Sequence, residues 1–479
     1  MHDFELLRDE EISELNIRAL FYRHRTGCEV VSLINEDENK VFGINFRTPP
    51  TDSTGIAHIL EHSVLCGSRK YPVKEPFIEL VKGSLNTFLN AFTYPDKTCY
   101  PVASTNLQDF YNLVDVYLDA VFYPRITPQV LEQEGWHYEL ENVDDPLSYK
   151  GVVFNEMKGA YSDPERVLAE HAQHSIFPDS TYGVDSGGHP RHIPDLTFEQ
   201  FKRFHEDFYH PSNARVFFYG DDDMERRLVL LDEYLADYEP HVVDSMVKPQ
   251  PRFTKPQKLS FPYAVDEGGD EGAESKCFVT VNWLLTDDID ADERRALQIL
   301  DHALIGTPGS PLRKALIDSG LGEDLTGSGI ETDLAQYVYG AGLKGVKAED
   351  VDAVEALILQ LLADLTRDGI DRGMVEASLH TAEFRLRENN TGGYPRGLVM
   401  MLKMLTDWLY DRDPFVPLRF EDSFVALRAK LAADDRYLEN LIQRHLIDNT
   451  HRTTVVLAPD AGLAAEQEQE EERRLAEAR

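Results

Sequence analysis

The chain has 479 residues, 42% of them apolar and 28% charged, a balance that can bury sizeable cores and that excludes disordered and collagen-like classes. Its formal net charge of −37 repels phosphate backbones and anionic headgroups, which argues against nucleic acid and membranes as partners; such a surface either attracts a positively charged substrate or only keeps the protein soluble. The four cysteines, Cys28, Cys66, Cys99 and Cys277, lack the paired spacing of a disulfide framework or a thiolate metal site.

The start, 1–17, is acidic and has neither the basic nor the apolar stretch of a signal peptide, so a soluble intracellular location is expected: bacterial cytoplasm, or an organelle matrix in a eukaryote. After this polar lead-in, Glu29–Asn35 and Lys40–Arg47 have the β-branched and aromatic character of two strands around a polar turn. Gly55–Cys66 places Ile56, Leu60 and Val64 at helical spacing before Gly67 and Ser68, which stop the helix. Asp109–Phe122 and Thr197–Tyr209 read as amphipathic helices, and Ala214–Tyr219 as a compact apolar strand.

A connector with Pro and Lys, Val247–Pro262, and an acidic glycine-containing loop, Asp266–Glu274, mark a domain boundary. Beyond it, the strand Cys277–Leu285 precedes Ala296–Gly306, which aligns with Ala57–Gly67 when a gap is allowed and puts Gln298, Asp301 and His302 where the first copy has His58, Glu61 and His62. The late strand Thr453–Leu457 likewise matches Val216–Tyr219, so the halves read as copies, of which the second has lost its chemistry. The tail from Ala464 is a solvated helix without a stop signal. The expected organisation is α+β: a catalytic metal-binding domain over 1–245, a linker over 246–262, a homologous non-catalytic domain over 263–462, and a helical segment over 463–479.

The chemistry lies in His58-Ile59-Leu60-Glu61-His62. Histidines four apart project from one helix face about a turn apart, so their rings can converge on one zinc ion. Glu61, beside them, can take a proton from water and later pass it to a departing amine. The order is the reverse of the commoner His-Glu-x-x-His, with equivalent geometry.

The runs Gly55–Ser68, Tyr71–Phe77, Gly83–Thr93 and Gly151–Ala160 resemble the presequence protease branch of the insulinase and pitrilysin zinc metalloproteases, with weaker similarity along essentially the whole chain. The resemblance implies a mitochondrial-processing-peptidase-like fold, with His58, His62 and Glu156 as zinc ligands and Glu61 as general base. It makes Glu134 a second carboxylate near the metal, which orients a ligand, assists the water or serves structure. It also implies that Leu85–Thr93 is a sheet edge onto which an extended peptide adds as a strand, with Asn90 and Ala91 touching it. Leu65, Phe77, Ile78 and Val81 match an apolar side-chain pocket, although apolar residues at that spacing equally suit a plain core.

Members of that branch are clamshells of two bowl-shaped halves joined by a helical hinge, and by the resemblance this chain is expected to correspond to the N-terminal half, with its glutamate-rich end where the hinge would begin. The resemblance therefore implies zinc binding with weak or absent hydrolysis until the missing C-terminal half, or a second subunit, is supplied. A non-catalytic peptide-binding module is the alternative.

Overall fold

The computed structural model describes residues 3–73, 82–265, 276–287, 289–327 and 329–479. The chain forms two compact units: Met1–Lys158 with Val184–Val247 and Asn389–Arg419, and Gly159–Gly183 with Lys248–Glu388 and Phe420–Arg479.

The first unit is built on an eight-stranded sheet in the order Phe4–Ile12, Ile17–His24, Glu29–Ile34, Ala214–Gly220, Lys40–Arg47 and Lys97–Ser104, with Asn86–Leu89 and Phe92–Thr93 both on the outer side of the last. Only the pair Glu29–Ile34 and Ala214–Gly220 is parallel. Every residue of Lys40–Arg47, Lys97–Ser104 and Ala214–Gly220 is buried, because helices cover both faces of the sheet centre. On one face Phe46 meets Phe122 of the helix Leu107–Phe122 edge-on, with ring centroids 6.0 Å apart. On the other, Gly43 leaves room for Met401 of the helix Arg396–Trp408, where any Cβ would collide with the sulfur. Arg47 and Arg215 hold the end of that segment, donating to the Leu409 carbonyl at 2.8 Å and to Asp411 at 2.6 Å.

A wholly buried ion pair braces the same unit. Arg227 donates through Nε to Asp222 at 2.9 Å and through Nη1 to the Ser32 hydroxyl at 2.7 Å, while the Tyr111 hydroxyl donates to Asp222 at 2.7 Å. Both charged side chains are 0% exposed.

The second unit repeats the plan. Its sheet runs Gln257–Ala264, Arg452–Asp460, Cys277–Leu284 and Val338–Val346, with Asp324–Leu325 and Gly329–Glu331 on the outer side of the last. Its parallel pair is Gln257–Ala264 with Arg452–Asp460, matching Glu29–Ile34 with Ala214–Gly220 in position and sense. The helix Pro164–Ile176 packs here, His171 stacking on Phe261 at 3.9 Å and Ser175 meeting Thr453 at 2.7 Å. Two homologous domains are thus visible in topology, and the fold is α+β.

Three sequence expectations need correction. The lead-in is a strand pair, Phe4–Ile12 with Ile17–His24, whose outer strand exposes charged side chains as sheet edges commonly do. The linker stretch 246–262 contains the start of the strand Gln257–Ala264, again an edge strand, where Pro262 is tolerated. The compact units are also not two consecutive stretches: 389–419 joins the first and 159–183 the second, because each segment packs on the sheet of that unit. The acidic loop Asp266–Glu274 lies outside the described residues. Among the described residues, no helix is long and apolar enough to cross a membrane.

Candidate metal centre

The motif occupies the helix Ile56–Val64, capped by Gly55 at φ 71°, a left-handed conformation that suits glycine. A Cβ at Gly55 would sit 2.8 Å from both the Gly187 carbonyl oxygen and Gly188 Cα, so this close approach of two backbones requires its absence. The approach brings the Gly187 carbonyl to His58 Nδ1, 3.0 Å away. His62 Nδ1 faces a Glu134 oxygen at 3.4 Å. A carbonyl and a carboxylate can only accept, so each Nδ1 carries a proton, which leaves Nε2 as the nitrogen that can offer a lone pair to a metal.

Both lone pairs face Glu156. His58 Nε2 lies 3.7 Å from one of its oxygens and His62 Nε2 3.8 Å from the other, with the two rings 5.0 Å apart. Glu156 projects from the helix Val152–Ala160 and is half-exposed. A second glycine contact sets that helix in place: Gly151, at φ 151°, packs against the Gly135 carbonyl, where a Cβ would collide. Gly135 follows Glu134, so one contact positions both carboxylates. The ligand atoms of His58, His62 and Glu156 all lie within 4.8 Å of one another. Tetrahedral coordination at about 2.0–2.1 Å separates ligand atoms by roughly 3.4 Å, so the trio fits a metal ion with little adjustment and leaves a side open.

Glu61 is 8% exposed and accepts a 2.6 Å hydrogen bond from the Thr93 hydroxyl. Burial pushes its carboxyl above the ordinary carboxylate range, against the pull of Thr93, His58 and His62. Glu134 goes the other way. Burial works to raise it, but hydrogen bonds from His62, from Gln133 at 2.8 Å and from the Cys66 thiol at 3.3 Å hold it below the usual range. Burial likewise opposes charge on His62, yet Glu134, Glu61 and Glu156 hold its pKa above the ordinary imidazole value. Two carboxylates beside one site are thereby driven apart in proton affinity, the pattern of a proton acceptor beside a permanent anion.

Asn90 and Ala91 separate the two short edge strands; Asn90 is exposed, its carbonyl accepting from the Tyr117 hydroxyl at 3.3 Å, and Ala91 is buried. Among the described residues no strand pairs with the outer side of this edge. Leu65 is the half-buried C-cap of the motif helix. Phe77, Ile78 and Val81 lie outside the described residues. Sequence reasoning gave no role to Thr93, Cys66, Gln133 or Gly187. Cys66 could have been found from its helical spacing to His62, whereas Gly187 arrives from a distant loop without a local signal.

In the second unit the matching helix is Ala291–Ile305. There Gln298 accepts from Arg295 at 2.9 Å, His302 meets the Ser378 hydroxyl at 2.9 Å, and burial pushes Asp301 up to about 6. Among the described residues no metal-ligating trio forms there. One other cluster, Asp3, His24 and Asp232, has suitable residue types. Its chemistry does not fit a metal: the Thr26 N–H donates to His24 Nδ1 at 3.3 Å, so Nε2 carries the proton and donates to Asp232 at 3.1 Å.

Residues 47–162 match the family model for insulinase (peptidase family M16), and residues 195–381 match that for the peptidase M16 inactive domain. Presequence protease 1, chloroplastic/mitochondrial, of Arabidopsis thaliana is 54% identical over 476 residues, 98% of this chain and 44% of that protein. Protein HypA of Clostridium perfringens is 44% identical over 478 residues, 99% of this chain and 49% of that protein. The chain thus spans about half the length of the curated relatives it matches. Among solved structures, a protease from Helicobacter pylori matches with a TM-score of 0.73 at 16% identity, covering 92% of this chain and 100% of that one. Pitrilysin matches with a TM-score of 0.65 at 16% identity, covering 96% of this chain and 47% of pitrilysin. These structural likenesses show the fold.

Proposed function

The chain belongs to the insulinase family of peptidases, M16, and from that membership we propose that it is the zinc-binding, water-activating part of an endopeptidase that degrades unstructured peptides. The observation that carries this reading is the convergence of two imidazole lone pairs on the Glu156 carboxylate, with buried Glu61 on the same helix. His58, His62 and Glu156 would hold the ion. When bound, zinc supplies Lewis acidity, which polarises a carbonyl and makes water a better acid.

The residues of the chain do the rest. Glu61, kept in reach by Thr93, takes a proton as water oxygen bonds to the peptide carbonyl carbon, and returns it to the nitrogen as the C–N bond breaks. Glu134 fixes the ring of His62 through Nδ1 and keeps Nε2 aimed at the metal position. An extended peptide adds to the edge formed by Asn86–Leu89 and Phe92–Thr93, past Asn90 and Ala91, through its backbone. Leu65, Phe77, Ile78 and Val81 are proposed to receive a side chain beside the cleaved bond. The charge of −37 favours basic peptides.

A second half or a second subunit completes the enclosure in this reading. Solved chains of this fold come in both lengths, the Helicobacter pylori protease near this one and pitrilysin about double it. The isolated chain is expected to bind metal but to cleave a quenched basic peptide at least about tenfold more slowly than when mixed with the C-terminal half of a full-length relative, a change in transition-state stabilisation of about 1.4 kcal/mol. Full turnover by the isolated monomer, with sedimentation excluding a dimer, would refute the need for a partner.

A further inference from the structure

The proposed peptide edge carries a second line of side chains that the hydrolytic site does not use. Phe88 and Phe92 lie four residues apart with ring centroids 6.1 Å apart; Tyr394 stands 6.0 Å from Phe88, and Tyr94 6.2 Å from Phe92. All four belong to the first unit. Phe88, Phe92 and Tyr94 are partly exposed, and Tyr394 is 59% exposed.

The direction of this row follows from the strand. Thr93 reaches the Glu61 carboxylate, and its neighbour Phe92 must point to the opposite face. The aromatic row therefore lines the face away from the motif helix. Tyr394 fits that side, since it lies two residues before the helix Arg396–Trp408, which packs on the face presented by Gly43. At its far end the row opens into a cavity of about 850 Å³ whose walls include Thr87, Tyr219 and Tyr394.

A peptide extended along this edge alternates its side chains between the two faces. Residues of one parity meet the motif helix; those of the other lie along Phe88, Phe92 and Tyr394. We propose that this row is a second specificity surface, which selects peptides carrying bulky apolar side chains at alternate positions. The inference rests on the reading that peptides add to this edge. Aromatic rings suit the task because they offer large apolar area with few rotatable bonds. The ring of Tyr94 already has a cation over it, Lys97 Nζ at 4.8 Å, which favours an apolar occupant for the row over a basic one.

The test uses the zinc-loaded Glu61→Gln chain, so that peptides bind without being cleaved, and fluorescence anisotropy with two labelled peptides of about twelve residues, long enough to span the edge. Both have the same composition, one with leucines at alternate positions and the other with them in a single block. The alternating peptide is expected to bind about tenfold more tightly, and Phe88→Ala or Tyr394→Ala to remove about that factor for it while leaving the block peptide unchanged. Metal content stays at the parent value in each variant, and Tyr394 is exposed enough for its substitution to leave folding intact. Equal binding of the two peptides, or substitutions without effect, overturns the row as a specificity surface while edge binding stands. If neither peptide binds the zinc-loaded chain, the edge reading fails and the row fails with it.

Discussion

Glu61→Gln is expected to lower kcat for peptide hydrolysis by a factor of about 10²–10⁴ while metal content stays at the wild-type level. The amide has the shape of the carboxylate and can still accept the Thr93 hydroxyl, so the helix and its two histidines keep their places. What it cannot do is take a proton from water. Burial of Glu61 sharpens the expectation, because a carboxylate kept partly dry is a stronger base than one in solvent. Steady-state kinetics on a quenched basic peptide, with the C-terminal half of a full-length relative added, reads the effect. A rise in KM with unchanged kcat would instead make Glu61 a substrate-positioning group.

Arg227→Met is expected to destabilise the first unit by about 3–5 kcal/mol. The substitution leaves the Asp222 carboxylate fully buried with the Tyr111 hydroxyl but without its countercharge. The Ser32 hydroxyl and the Gly220 carbonyl lose their guanidinium partner as well. In a domain of this size the cost lowers the unfolding midpoint by about 10 °C. Replacing both partners, as Arg227→Met with Asp222→Leu, should recover most of the loss, since two charges leave the interior together. Thermal unfolding followed by circular dichroism separates the cases; a single substitution costing no more than a surface change would contradict the account.

The strands Lys40–Arg47 and Ala214–Gly220 were legible because helices cover both faces and the runs are apolar throughout. The motif helix was legible from its spacing and its glycine boundaries. The edge strands Phe4–Ile12 and Gln257–Ala264 were not, since edges mix charged, polar and proline residues that read locally as loops. Nor could local pattern show that Arg396–Trp408 packs on the first sheet while Pro164–Ile176 packs on the second, because both assignments are long-range. The same limit applies at the metal centre. His58, Glu61 and His62 are four residues apart at most and readable together, whereas Glu156 and Glu134 arrive through the contact between Gly151 and Gly135, and Glu156 was reached only through resemblance.

Whether His58, His62 and Glu156 form one metal site is read by zinc content, through elemental analysis of the purified chain beside His62→Ala and Glu156→Ala. About one zinc per wild-type chain is expected, none in His62→Ala, and a weakened site in Glu156→Ala that loses its metal to a mild chelator. Wild type without zinc, or His62→Ala retaining it in full, would contradict the assignment.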